Sequence, residues 1–326
     1  MDEHLIFRLF LDATQHKEHE ILRIEKLTGS YGHASWKFTT AKEILLFKVN
    51  IRNINNQDLK NEILAHQLLT ETNLCVPQIL YSSPTPNILE RPYYIQSWLP
   101  GVDATTALPE LNRENREKFA RTFGTFIAKM HKIESDSFSH ALHKNPGEQS
   151  LDWKNFILKK LEGFIFTIRK ENLLPTSFLA AVEKKAHDLI DSIGSDVKPG
   201  FTHMDLYLAN ALVSAENLSA ILDFESACFY DPIWDFVKLD AWVFQQFPDL
   251  RQPFLQGYSE IIPWKPIFAN RLLAYQGVEY LAAFPYFGTR FPDKKMFNNF
   301  YQLLETWLGL TKLDEYEEES CIAHRR

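Results

Sequence analysis

FTHMDLYLANALV, residues 201–213, and AILDFE, residues 220–225, are the two stretches of this sequence that decide its fold. Each contains a short apolar run, Ala211–Val213 in the first and Ala220–Leu222 in the second. The residues between the runs, 214–219, include serine, glutamate and asparagine, which are common in turns. Two apolar runs joined by a short polar turn predict a β-hairpin.

The predicted hairpin also predicts a site at its open end. Antiparallel pairing about a turn near Glu216 and Asn217 is expected to place Asn210 beside Asp223. An amide oxygen and a carboxylate are hard ligands that suit Mg²⁺, which completes its coordination with phosphate and water. Asp205 precedes Asn210 by five residues and lies on the loop that enters the hairpin. We therefore expect Asp205 to orient a hydroxyl and accept its proton near a metal-bound phosphate.

The same residues form the pattern His203-x-Asp205-x-x-x-x-Asn210, with Asp223 thirteen residues after Asn210. This pattern resembles the catalytic loop and metal-binding aspartate of the protein-kinase-like fold. Residues 230–235, Tyr-Asp-Pro-Ile-Trp-Asp, resemble the Gly-Asp-Pro-x-x-Asp of small-molecule kinases, so the chain is most similar to the aminoglycoside phosphotransferase and choline kinase family. The resemblance implies transfer of the γ-phosphoryl group of ATP to an alcohol, with Asp205 as the catalytic residue and Mg²⁺ on Asn210 and Asp223. GTP in place of ATP stays open.

Two departures separate the chain from protein serine/threonine kinases. Those kinases commonly carry a lysine two residues after the catalytic aspartate, where this chain has Tyr207. No Ala-Pro-Glu segment follows Asp223-Phe224-Glu225 to close an activation loop. A small-molecule acceptor is therefore favoured. An unusual protein kinase and a catalytically silent nucleotide-binding module of the same fold stay open as alternatives.

Several polar residues around the pattern have structural interpretations. The three candidate site residues could instead cap turns or end a strand. His203 is interpreted as a brace for the loop rather than as a base. Asp231 before Pro232 predicts a helix start, because aspartate caps backbone donors and proline suits the first helical position. Asp235 is interpreted as a strut for the catalytic loop.

The N-terminal half offers candidate nucleotide-binding residues. Lys48 lies within the apolar run 44–49, where an unpaired ammonium is costly, so it needs an anion. Glu62 lies on a helix predicted over Asp58–Thr70, where it could face that strand. The family resemblance implies a Lys48–Glu62 pair, with Lys48 also touching the nucleotide phosphates. The alternatives are an edge-strand lysine that reaches water and an ordinary exposed glutamate.

Three further nucleotide contacts are implied by the resemblance. Ser30 lies in the stretch 29–35, which occupies the place of a phosphate-covering loop but lacks a full GxGxxG and could be a plain turn. Ser97 and Leu99 lie where the family joins its two lobes, so their backbone carbonyl and amide could bind the edge of adenine. A strand end with no binding role is the alternative there.

Composition limits the possible partners and location. The chain has 326 residues, a net charge of −7 and no basic surplus, so a nucleic acid partner is not expected. Three cysteines, with no paired CxxC spacing, favour a reducing cytoplasm. The start of the chain shows no secretory signal, and the longest uncharged stretch, 72–89, holds three prolines, so no contact with a membrane is expected.

The expected architecture is α+β: a bilobal protein-kinase-like fold. The resemblance implies a small antiparallel-sheet N-lobe with one main helix, residues 1–98, that binds the nucleotide. A larger, mainly helical C-lobe, residues 99–326, is expected to carry the catalytic loop and the acceptor site. The turn signal Pro100-Gly101 places the hinge near residues 96–101.

The region after Asp235 is rich in aromatic residues and also carries the carboxylates Asp240, Glu260 and Glu279. The resemblance implies that helices of this region form the acceptor site. Aromatic faces and carboxylates together favour a cation. We therefore predict a hydroxyl-bearing amine as acceptor, either an aminoglycoside-like compound or an amino alcohol such as choline.

Overall fold

The computed structural model describes residues 2–28, 33–51, 57–83, 91–145 and 147–309. The helices are α1 Glu3–Thr14, α2 Gln57–Glu71, α3 Ala104–Ala107, α4 Arg113–His131, α5 Trp153–Lys170, α6 Thr176–Asp191, α7 Phe236–Lys238, α8 Arg251–Ser259, α9 Pro266–Pro285 and α10 Lys294–Gly309. The strands are β1 Ile21–Leu27, β2 His33–Thr40, β3 Ile44–Asn50, β4 Ile79–Ser83, β5 Tyr93–Ser97, β6 Val102–Asp103, β7 Phe138–Ser139, β8 Gln149–Ser150, β9 Gly200–Thr202, β10 Ala211–Ser214, β11 Asn217–Ile221 and β12 Cys228–Tyr230. None of the helices in the described part of the chain is both long and apolar enough to span a bilayer.

The chain forms two compact units, the first of residues 1–119, 141–143 and 208–227 and the second of the remaining residues. The first unit contains an antiparallel five-stranded sheet in the order β1-β2-β3-β5-β4, as expected for the small lobe. Its second sheet has three strands in the order β11-β10-β6. The second unit contains most of the long helices and a four-stranded sheet in the order β8-β7-β12-β9.

These units divide the chain differently from the lobes expected at residues 98 and 99, and that boundary stays a prediction. The difference comes from β6, which pairs with β10 and so keeps residues beyond 99 in the first unit. Gly101 permits this pairing, because its φ is 151° and a Cβ there would lie 2.9 Å from the carbonyl oxygen of Val213.

The core of the first unit lies between α1 and one face of the five-stranded sheet. Phe10 stacks on Phe38 at a ring distance of 3.7 Å, and both are fully buried. Burial in β3 alternates, so Leu45, Phe47 and Val49 face this core while Lys48 lies on the opposite, half-buried face. Strand β3 therefore has one core face and one face that can hold a lysine.

The second unit is built on amphipathic helices. Helix α5 begins at an Asp152 cap, whose carboxylate accepts a hydrogen bond from the backbone N–H of Asn155. The buried stripe of α5 contains Trp153, Phe156, Ile157, Leu161, Ile165 and Ile168. Helix α9 is buried around most of its surface and packs against α5, α6 and α10. The rings of Trp153 and Phe156 on α5 pack against Tyr230 of β12, in the short sheet that also contains β9.

Candidate active site

The predicted hairpin is present as β10 and β11 in the first unit. Its turn is tighter than expected: Ala215 and Glu216 both have positive φ, as two-residue hairpin turns favour. A bulge after Leu212 shifts the register within the ladder. The N–H of Leu222 therefore donates to the carbonyl of Asn210 at 2.8 Å. The expectation that Asp223 would stand directly opposite Asn210 was wrong by one residue.

Lys48 has an anionic partner, as its place in an apolar strand requires. Its Nζ lies 3.4 Å from Oδ1 of Asp223 and 5.4 Å from the centre of the Tyr94 ring. Burial alone lowers the pKa of Lys48, but interactions with Tyr94, Asp223 and Glu62 outweigh burial and raise it well above its usual value. The strand lysine and the hairpin aspartate thus form one charged group, although 175 positions separate them.

Glu62 is buried on α2 with 2% exposure. Its Oε1 lies 3.1 Å from Nε2 of His66 and accepts from the Tyr94 hydroxyl at 3.5 Å. Burial raises the pKa of Glu62, yet His66, Lys48 and His33 together lower it below its usual value. Lys48 forms its ion pair with Asp223 and interacts electrostatically with Glu62, and the expected Lys48–Glu62 pair stays a prediction. Oε2 of Glu62 has no hydrogen-bond partner among the residues that the structure describes.

Asp223 lies two residues after the end of β11, in a left-handed conformation with φ of 69°, and its side chain is 31% exposed. Such a backbone is sparsely populated for residues other than glycine, asparagine and aspartate. Ligand atoms of Asp223, Glu225 and His33 lie within 4.8 Å of one another. The two carboxylates are oxygen donors that fit a hard divalent cation, and Asn210, whose backbone carbonyl accepts from the N–H of Leu222, carries an amide oxygen of the same ligand type.

Asn61 fixes the segment that follows Asp223, and the sequence interpretation missed it. This buried side chain donates to the carbonyls of Glu225 and Ala227, and its Oδ1 accepts from the N–H of Leu142 at 2.7 Å. The signal available in the sequence was its position next to Glu62. A polar pair on a buried helix face needs partners, but the sequence does not say where they lie.

In the second unit, the catalytic loop leaves β9 at His203 and is fixed by Asp235. Oδ2 of Asp235 accepts from the N–H of His203 at 2.8 Å, and Oδ1 accepts from the N–H of Met204 at 2.7 Å. His131 Nε2 lies 3.0 Å from the same carboxylate. Met204 has a φ of 68°, which a side chain of its kind rarely adopts. The interpretation of Asp235 as a strut for the loop is confirmed.

The two other structural interpretations are also confirmed. His203 Nδ1 accepts from the N–H of Asp205 at 3.2 Å, so this histidine braces the loop. Asp231 caps the short helical turn Pro232–Asp235 by accepting from the N–H of Ile233.

Asp205 has a cationic partner that the sequence interpretation did not include. Lys238 donates from Nζ to Oδ1 of Asp205 at 2.7 Å, and its Nζ lies 5.0 Å from the centre of the Tyr207 ring. Burial lowers the pKa of Lys238, but interactions with Tyr207, Asp205 and Glu279 raise it well above its usual value. A lysine in the apolar run 236–239 needs an anion, so the argument applied to Lys48 would have found this pair.

The carboxylates expected to attract a cation differ in their surroundings. Arg251 binds Asp240 at 2.9 Å, and Arg121 binds Glu260 at 2.7 Å. Glu279 instead accepts from the indole Nε1–H of Trp234 at 3.2 Å. Arginine therefore neutralises two of the three carboxylates.

The remaining predicted contacts are those to the nucleotide base and phosphates. Ser30 lies outside the described residues. Ser97 ends β5, where its N–H donates to the carbonyl of Gln78 and its hydroxyl accepts from the N–H of Gln78. Leu99 follows in the irregular segment before β6 and is half-buried. Both stay predictions as contacts for a base.

The sequence matches a known protein family and a relative of known activity. Residues 23–268 match the family described as APH: Phosphotransferase enzyme family. A homoserine kinase from Zymomonas mobilis subsp. mobilis is 25% identical over 250 residues, which are 74% of this chain and 72% of that protein.

Solved structures share the fold. The ADP-bound aminoglycoside phosphotransferase APH(2'')-Ib superposes with a TM-score of 0.69 and 18% identity, covering 94% of this chain and 98% of that one. The streptomycin-ATP-APH(2'')-IIa ternary complex superposes with a TM-score of 0.66 and 16% identity, covering 94% of this chain and 97% of that one. The predicted α+β, protein-kinase-like fold is confirmed by these likenesses.

Proposed function

This chain belongs to the phosphotransferase enzyme family, and we propose that it transfers the γ-phosphoryl group of ATP to a hydroxyl of a small molecule that carries an amine. That the protein is a kinase with an alcohol group as acceptor follows from the family and its relatives. The nucleotide, the metal, the residue roles and the nature of the acceptor are the proposal. A cytoplasmic location, based on the three cysteines, belongs to it as well.

The observation that carries the proposal is the ion pair of Lys48 with Asp223 at 3.4 Å. A strand lysine and a hairpin aspartate so far apart in sequence are brought together by the fold of the first unit. Phosphoryl transfer needs a cation for the nucleotide phosphates and a carboxylate for the metal, and this pair supplies both groups. Glu62 lies close enough to lower the energy of the charged Lys48, and its unpartnered Oε2 can accept a hydrogen bond from that ammonium.

Mg²⁺ fits the donors at the end of the hairpin. Asp223 and Asn210 would hold it through a carboxylate and an amide oxygen. When bound, the cation neutralises phosphate charge during transfer. Lys48 would then hold the nucleotide phosphates, and Ser30, Ser97 and Leu99 stay proposed contacts for the phosphates and the base.

Asp205 is proposed as the residue that orients the acceptor hydroxyl and accepts its proton. Its backbone is fixed through His203 and Asp235, and its carboxylate is fixed through the 2.7 Å bond from Lys238. Because these contacts already hold the carboxylate in place, it needs little reorganisation during the reaction, and this is how positioning contributes to rate. Lys238 acts through Asp205 in this scheme and is a positioning residue.

The acceptor is proposed to be a hydroxyl-bearing amine, such as an amino alcohol or an aminoglycoside-like compound. The relatives named above are a homoserine kinase and aminoglycoside phosphotransferases, and both names describe acceptors that carry amino groups. Glu279, which is bound to an indole rather than to an arginine, is the carboxylate best suited to an ammonium.

The test is ATP consumption with a panel of cationic, neutral and anionic alcohols, beside a panel of protein substrates, with the product identified by mass spectrometry. We expect Mg²⁺-dependent formation of ADP and a phosphate ester with an amine-bearing alcohol. Turnover of a protein alone would favour the protein-kinase alternative. Nucleotide binding without turnover of any acceptor would favour the silent module.

A further inference from the structure

Lys160, on α5 in the second unit, is a half-buried cation whose contacts are aromatic. Its Nζ donates to the Tyr230 hydroxyl at 3.0 Å and lies 5.0 Å from the centre of that ring. The centres of the Trp234 and Phe164 rings lie at 5.5 and 5.9 Å. In the part of the chain that the structure describes, no acidic side chain forms an ion pair with this lysine.

Two other lysines differ from Lys160 because each forms an ion pair with an aspartate. Lys48 is paired with Asp223, and Lys238 is paired with Asp205. Burial, the largest effect, lowers the pKa of Lys160, and Lys238 adds to that, while attraction to Glu279 opposes it. The Lys160 ammonium has three N–H donors, and the hydrogen bond that the structure gives it, to the Tyr230 hydroxyl, uses one of them, so it can still bind an anion.

Glu279, on α9, contacts the same indole. Its Oε2 accepts from Nε1 of Trp234, whose ring also faces Lys160. Glu279 acts electrostatically on Lys160, Lys238 and Tyr207, so it belongs to the same charged neighbourhood as Asp205. Trp234 is buried with 2% exposure, whereas Lys160 and Glu279 both keep partial exposure. A ligand could therefore reach a positive and a negative anchor held by one rigid ring.

We infer that the acceptor is a zwitterion: a hydroxyl-bearing amino acid whose carboxylate binds Lys160 and whose ammonium binds Glu279. This rests on the proposed phosphoryl transfer and adds an anionic group to the amine-bearing alcohol proposed above. Opposite charges on the ligand would satisfy both anchors at once. An acceptor with only an ammonium would bind Glu279 and leave Lys160 with its present hydroxyl and aromatic contacts, so it would lose one of the two charged contacts.

Three compounds that share one hydroxyl-bearing carbon chain separate the contribution of the acceptor's carboxylate from that of its ammonium. L-homoserine carries both charged groups, 3-aminopropan-1-ol lacks the carboxylate, and 4-hydroxybutyrate lacks the ammonium. We expect kcat/KM for L-homoserine to exceed that for each truncated compound by at least about tenfold, since a lost charged contact in a partly desolvated site costs at least that much. Equal use of L-homoserine and 3-aminopropan-1-ol would overturn the inference.

Substitutions at Lys160 test whether the preference for L-homoserine depends on this lysine. Lys160→Met should raise KM for L-homoserine at least about tenfold, with little change in kcat or in KM for 3-aminopropan-1-ol. Lys160→Arg should restore part of the loss, because it keeps the charge. Lys159→Met, at the exposed neighbouring position, is the matched control and should behave as wild type. An equal loss with both compounds in Lys160→Met would mean a structural role and would contradict the inference.

Calorimetric titration with L-homoserine separates this inference from the proposed function. Binding to the wild type that is lost in Lys160→Met supports the zwitterion site even if no ester forms, in which case the proposed phosphoryl transfer has failed. ATP-dependent turnover of other amines, with neither binding nor turnover of L-homoserine, would sustain the proposed function and overturn the inference.

Discussion

Replacing Asp235 with alanine tests how the catalytic loop is held. The carboxylate is fully buried and accepts hydrogen bonds from the N–H groups of His203 and Met204, at 2.8 and 2.7 Å, with His131 as a third neighbour. Alanine removes every acceptor. The strained φ of 68° at Met204 then loses the two bonds that hold it.

The expected loss of stability follows from the two backbone N–H groups, of His203 and Met204, that lose their acceptor. A buried donor that loses its acceptor costs about 1–3 kcal/mol, so the two backbone N–H groups together cost about 2–6 kcal/mol. We expect Asp235→Ala to lower the free energy of unfolding by about 4 kcal/mol, a large part of the 5–15 kcal/mol typical of such proteins. In the molecules that stay folded, displacement of Asp205 should lower kcat by at least about tenfold.

Urea denaturation followed by circular dichroism measures the first quantity, and initial rates below the unfolding transition measure the second. Asp191→Ala removes a 70% exposed carboxylate from the end of α6 and is the matched control, with an expected change below about 0.5 kcal/mol. A free energy of unfolding for Asp235→Ala within about 1 kcal/mol of wild type would refute the reasoning.

Four other variants address the proposed metal ligands and the two paired lysines. Asp223→Ala should abolish Mg²⁺-dependent use of the nucleotide, and Asn210→Ala should raise the magnesium concentration needed for half-maximal rate, because each removes an oxygen ligand; an unchanged magnesium titration would count against the site. Lys48→Ala should raise KM for ATP, lower kcat, or both, and if it does neither, the nucleotide binds elsewhere. Lys238→Met should lower kcat by at least about tenfold with less change in KM for ATP, since the 2.7 Å contact to Asp205 is lost, and wild-type kcat would argue against a positioning role.

Local patterns in the sequence predicted much of the fold and several structural roles. The β10–β11 hairpin and the cap at Asp231 depend on residues close together in sequence or on strong local preferences. The strut at Asp235 has no such local basis, because its partner His203 lies 32 positions earlier.

The register of the hairpin was missed because two small effects combined. The turn tightened to Ala215 and Glu216, and the bulge after Leu212 inserted one residue. Neither effect has a distinct signature in this sequence, so Asp223 was expected one position away from its actual place.

The partners of buried charges were harder to predict. Lys48 needed an anion, but whether Asp223 or Glu62 supplies it depends on how the hairpin packs beside β3. The contact of Lys238 with Asp205 likewise joins a helix and a loop 33 positions apart. Sequence shows that such a charge must be satisfied, and tertiary structure decides by which group.

The central claim is that Asp205 orients and deprotonates the acceptor hydroxyl. The measurement is the single-turnover rate of Asp205→Asn, a nearly isosteric change, beside its affinity for ADP by calorimetry and its unfolding curve. The account predicts a rate at least about 100-fold below wild type, with ADP affinity and stability almost unchanged, because the lost interaction acts in the transition state. Near-wild-type turnover by the folded Asp205→Asn protein would contradict it.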